Sequence, residues 1–66
     1  MVNRNAWNAY HRPEPSSPWT WIASGPTYGE ANSAALLKRP DGEIVVMFGR
    51  CLPDDDGRPL PLRRRF

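Results

Sequence analysis

Nearly everything that usually steadies so small a domain is scarce in this 66-residue chain. A single cysteine, Cys51, rules out a disulfide within the chain, and with one histidine, His11, there is no ligand set for a structural zinc. No apolar run approaches the ~20 residues of a membrane-spanning helix. The polar N-terminus carries no signal-peptide pattern, so the cytoplasm is the expected compartment, host cytoplasm if the chain is phage-encoded. Catalytic patterns are missing as well. There is no glycine-rich phosphate loop, no nucleophile elbow and no pair of spaced carboxylates. Cys51 and His11 are far apart in sequence, and no acid is placed to orient the imidazole. Arg50 would slightly favour a Cys51 thiolate, yet a semi-buried structural cysteine is the better reading. The chain reads as a non-enzyme that needs no cofactor or metal.

Large apolar residues are few for a domain that buries only about 60% of its unfolded surface. The candidate core is Trp19, Trp21, Ile22, Tyr28, Leu36, Leu37, Ile44, Val45, Val46, Met47, Phe48 and Leu52. That suffices for a thin sheet covered on one face. Covering both faces of the 44–48 run calls for a helix, a second copy or a partner protein.

What the chain does offer is a strong turn signal. Pro40-Asp41-Gly42 separates Ala35-Leu36-Leu37 from Ile44-Val45-Val46-Met47-Phe48, the longest apolar run. Proline presets φ at the first central turn position, aspartate suits the second, and glycine accepts the positive φ that follows. Between two hydrophobic runs, this points to a hairpin. Trp19-Thr20-Trp21-Ile22-Ala23 has the aromatic and β-branched content of another strand, ended by Ser24-Gly25-Pro26.

The segment between is ambiguous. Thr27-Tyr28-Gly29-Glu30 matches a capping box at a helix start. Gly29, Asn32 and Ser33 are poor helix residues, and the hairpin needs Leu36 and Leu37 in a strand. A helical turn feeding a strand is therefore preferred to its rival, a full helix to Lys38 in β-α-β order. The expected fold is α+β or mostly β, built on a small three-stranded antiparallel sheet (about 19–24, 34–39 and 43–50). A short helix or helical turn lies near 28–33, with irregular proline-rich arms at both ends. Residues 1–18, holding Pro13, Pro15 and Pro18, form the N-terminal arm, and 19–52 form the globular domain. Residues 53–66 are an acidic turn followed by a basic tail.

That tail carries the clearest charge signal: Arg63-Arg64-Arg65, supported by Arg58 and ending in Phe66. Arginines in an extended arm grip phosphates or an acidic protein surface, or simply stay solvated. Arg58-Pro59-Leu60-Pro61 resembles the front half of a proline-rich ligand for SH3-type grooves, but Arg64 stands where the second proline belongs. Asp54-Asp55-Asp56-Gly57 lacks the alternating acids and closing glutamate of a calcium loop and reads as a solvated turn. Trp19 and Trp21, at strand spacing, serve as core or as a contact face.

These residues lead to an expected function: a small protein-binding accessory or inhibitor, viral or mobile-element in style, docking on a larger protein complex. Its contact residues would be Trp19, Trp21, Tyr28, Arg58, Arg63, Arg64, Arg65 and Phe66. The alternative is a nucleic-acid-binding module, with arginines on phosphates and aromatics stacked on bases. A subunit of a homo-oligomer would use the same surfaces. No membrane partner is expected.

Overall fold

The computed structural model describes residues 2–54 and 56–61, the last three as backbone. Strand β1 (Trp7–Arg12) lies between β2 (Thr20–Gly25) and β3 (Glu43–Phe48), and both pairings are antiparallel. Helix α1 (Tyr28–Lys38) connects β2 to β3. Strands β4 (Cys51–Pro53) and β5 (Pro59–Pro61) make a separate antiparallel ribbon. The fold is α+β around a three-stranded antiparallel sheet, as the sequence suggests. The strands that build it are not all the expected ones.

Three segments differ from expectation. Within the supposed N-terminal arm, residues 7–12 form the central strand, with every residue from Asn8 to Arg12 buried. The expected strand at 34–39 is instead the last turns of α1 and the residue that ends it. Part of the supposed irregular tail, 59–61, pairs with 51–53, while 62–66 lie outside the described residues.

The helix starts as the capping pattern dictates. Thr27 adopts an extended conformation (φ −133°, ψ 162°), and its Oγ1 accepts from the Glu30 amide at 3.2 Å. Glu30 in the first turn and Lys38 in the last both complement the helix dipole. Arg39 closes the helix with its amide on the Ala35 carbonyl at 2.8 Å, just before Pro40, which disfavours helical backbone in the residue ahead of it.

Packing explains why the helix wins over the hairpin. Its buried face is Ala31 and Ala35, seated on Ala9 and Ala23 of the sheet, with Ile22, Ile44 and Val46 around them. Small side chains let helix and sheet approach closely. Leu36 and Leu37, which resembled the apolar flank of a strand, point outward and are 47% and 87% exposed. The Pro-Asp-Gly turn is present, with Gly42 at φ +87°, but it joins helix to strand.

Strand alternation sorts β1 into two faces. Trp7, Ala9 and His11 share the α1 side, with Phe48, Val46 and Ile44 opposite them on β3. Asn8, Tyr10 and Arg12 share the other side, opposite Met47, Val45 and Glu43. That second face is covered by the segment after β3. The Tyr10 hydroxyl donates to the Cys51 carbonyl at 2.9 Å, and the Trp19 indole donates to the Asp54 carbonyl at 2.8 Å. The chain thus supplies cover on both faces of residues 44–47 and leaves Phe48 half-exposed. No helix among the described residues is long and apolar enough to cross a membrane.

Candidate functional site

The two tryptophans singled out in the sequence, Trp19 and Trp21, lie on the ribbon side of the sheet and are half-buried. Their polar ends are engaged internally: Trp21 Nε1 donates to Asn8 Oδ1 at 3.0 Å, and Trp19 Nε1 to the Asp54 carbonyl. The Arg12 guanidinium sits 4.3 Å from the centroid of the Trp19 ring. The same guanidinium donates through Nε and Nη2 to Glu43 Oε1 (3.0 and 2.8 Å) and through Nη1 to the Pro15 carbonyl (3.2 Å). Arg12 therefore ties the segment between β1 and β2, at Pro15 and Trp19, to β3 from one buried position.

Asn8 organises the neighbouring part of this face. It is fully buried, and its Oδ1 accepts from the Asn3 amide and from Trp21. Its Nδ2 donates to the carbonyls of Asn3, Ala6 and Gly49. Tyr10 is buried beside it, and burial first, then the negative charge available to Cys51, raises its phenol pKa above the ordinary 10.0. The raised value means that the folded state holds the phenolic proton more tightly than the unfolded chain does. Stability from this group is complete below about pH 10 and is lost as pH rises through the folded-state pKa. Tyr10→Phe should flatten that alkaline loss, measured as the urea midpoint against pH. An unchanged slope would assign the loss to other groups.

The acidic turn has a structural use. Asp54 Oδ1 accepts from the amides of Asp56 and Arg58, and the Gly57 amide returns to the Asp54 carbonyl at 2.9 Å. Among the described residues, no three histidine, cysteine or acidic side chains come together in a set able to hold a metal. Arg58 is exposed beside this turn. Arg63, Arg64, Arg65 and Phe66 lie outside the described residues.

Tyr28 belongs to a different surface. It packs edge-on against Trp7 (centroids 5.6 Å apart, 78° between planes), and Trp7 meets Phe48 in the same manner (5.4 Å, 67°). Tyr28 and Phe48 are each 53% exposed. Tyr28, Asn32 and Leu36 follow an i, i+4, i+8 row along α1, so the aromatic end leads through Asn32 towards Leu36, while Leu37 projects from the outer face of the helix about 100° round the axis from Leu36. Trp19 and Trp21 are separated from Tyr28 by the sheet itself. Leu36, Leu37 and Phe48, expected in the core, are exposed on this side of the molecule, and Trp7, expected in the N-terminal arm, packs between Tyr28 and Phe48. The helical spacing of Tyr28 and Leu36 was the one signal that could have brought them to a common surface. Comparison with protein-family models, with curated proteins and with solved structures finds no match.

Proposed function

We propose that this chain is a non-catalytic protein-binding module that docks on a larger protein through the α1 side, acting as an accessory or inhibitor by occupying that surface. One observation carries the reading. Of the five exposed large hydrophobic side chains among the described residues, Tyr28, Leu36 and Leu37 are on α1 and Phe48 adjoins it through Trp7; only Leu52 lies elsewhere. Exposed apolar residues scattered singly are ordinary, whereas a concentration on one side is the usual mark of a contact surface. Fully burying an exposed side chain of this kind is worth about 1.5–3 kcal/mol, and Tyr28, Leu36 and Phe48, already about half covered, would each add about half of that towards the cost of association. Aromatic residues at one end supply the rigid anchors that dominate interface energetics.

The nucleic-acid alternative rests on Arg63–Arg65 and on base stacking by Trp19, Trp21 or Tyr28. Arg12 already occupies one face of the Trp19 ring, and both indole N–H groups are engaged, which favours the protein-docking reading.

The test is affinity capture from the native cell with wild type, a Leu36→Gln/Leu37→Gln variant and a Glu14→Gln control at an exposed site outside α1. Glutamine keeps helix propensity close to that of leucine, so the fold should be retained. A stoichiometric protein partner is expected with wild type and control, with recovery at least tenfold lower for the double variant. Undiminished recovery with the double variant, or no stoichiometric partner at all, would refute the proposal.

A further inference from the structure

At the C-terminal end of α1 the surface opens into a groove whose chemistry is unlike that of the aromatic end. Two adjoining depressions of about 280 and 250 Å³ share His11, Pro13 and Arg39. The first adds Thr20 and Ile22 and contains no acid; the second includes Asp41. Lys38, on the rim of the second, has its ammonium on the Ile22 carbonyl at 2.9 Å. Arg39 is exposed, and its guanidinium has no partner among the described residues.

His11 makes the groove more than a charged depression. It is only 9% exposed, and its Nε2 lies 2.6 Å from the Asp41 carbonyl. A carbonyl only accepts, so this bond assigns a proton to Nε2, and a ring carrying that proton alone presents a lone pair at Nδ1. Nδ1 has no partner among the described residues, yet none of their buried side-chain nitrogens or oxygens lacks one. Nδ1 therefore reaches solvent, on a residue that lines both halves of the groove. A ring fixed through one nitrogen with the other left open is held ready to accept a hydrogen bond.

We infer that the half of the groove bounded by His11, Thr20 and Arg39 receives a carboxylate-bearing segment of the protein partner; this rests on the protein-docking reading. The donors and acceptors match a peptide. The Arg39 fork and the Thr20 hydroxyl supply donors to a carboxylate, while His11 Nδ1 accepts a backbone N–H from the same segment. Pro13 and Ile22 give apolar walls. A phosphodiester satisfies the arginine equally well but has no N–H for Nδ1. Asp41 directs the carboxylate towards the acid-free half, because like charges repel in the other.

The test uses the full-length chain, labelled with 15N, and two peptides, acetyl-Leu-Glu-Leu-amide and acetyl-Leu-Gln-Leu-amide, titrated by NMR. The glutamate peptide should shift resonances of His11, Thr20 and Arg39. Its affinity should fall about tenfold with the glutamine peptide, and about tenfold in an Arg39→Gln variant. Equal affinity for the two peptides, or no shift at these residues at millimolar peptide, overturns the inference. So does inorganic phosphate or a thymidine oligonucleotide acting there as strongly as the glutamate peptide. The titration is independent of Leu36 and Leu37. A silent groove alongside partner loss in the leucine variant would remove this inference and leave the docking reading standing.

Discussion

Gly42→Ala should destabilise the protein by about 3 kcal/mol, at least roughly a third of its total stability, and lower its melting temperature by well over ten degrees. Two independent effects add. Gly42 has φ +87°, where a Cβ costs about 1–2 kcal/mol against its own backbone. That Cβ would also stand 2.6 Å from the Arg12 carbonyl oxygen and 2.7 Å from His11 Nε2. Neither neighbour can move away cheaply: one is the backbone of the central strand, and the other is a buried ring tied to Asp41. Forcing space in such a place typically costs a further 1–3 kcal/mol. Total stability for a chain of this length is only roughly 3–10 kcal/mol. Gly29→Ala is the matching control, because its Cβ meets nothing within 4 Å. It lies in the helix and should gain about 0.5–1 kcal/mol. Thermal melts followed by circular dichroism read both. Melting of Gly42→Ala within a few degrees of wild type would mean that the turn relaxes away from β1.

Asn8→Leu should cost about 3–5 kcal/mol even though it replaces a polar side chain with an apolar one of similar size. Five groups lose a bond at once: the amide of Asn3, the indole N–H of Trp21, and the carbonyls of Asn3, Ala6 and Gly49. The Asn3 and Ala6 carbonyls keep the amides of Ala6 and Gly49, while the other three are left without a partner among the described residues. Asn8 is completely buried, so water cannot replace the lost bonds without opening the structure. Asn8→Asp separates the two halves of the network. Its oxygens preserve acceptance from Asn3 and Trp21 but place an anion beside three carbonyls. That variant should be strongly destabilised at neutral pH and should recover in part at acid pH, where the carboxyl is protonated and again donates one bond. Urea titration with tryptophan fluorescence measures each variant. A loss below about 1 kcal/mol for Asn8→Leu would show that the N-terminal segment separates freely from the sheet.

How much of this was legible depends on which physical signal each segment carries. Strand β3 was readable from its β-branched run, and β2 from aromatic residues ending at Gly25-Pro26. The cap of α1 was readable at Thr27 and Glu30, but its length was not. A helix seated on Ala31 and Ala35 shows no strong apolar stripe, and its largest apolar residues face solvent. Strand β1 was hidden for the opposite reason. Its buried positions include Asn8, His11 and Arg12, made tolerable by partners at sequence distances no local pattern reports: Gly49, Asp41 and Glu43. The acidic turn was recognised, whereas the pairing of prolines 59 and 61 with β4 went against the usual expectation for that residue. For the surface, Tyr28 was identified and Trp7, Leu36, Leu37 and Phe48 were not, since only the true helix boundary turns the leucines outward.

The central place of β1 also dictates when the sheet can be finished. Trp7 pairs with Phe48 and Arg12 with Glu43, so the first strand synthesised waits for the last strand of the sheet before its second side is closed. The β1–β2 pair can form early, as a local hairpin. Until residues 43–48 arrive, however, β1 presents an open edge of unpaired backbone groups, even though α1 is already available to cover Ala9 and Ala23. Such an edge is a template for pairing with another chain. A nascent chain that pauses between Arg39 and Phe48 is therefore at its most adhesive, and the helix-to-strand turn at Gly42 is the joint that ends this exposure.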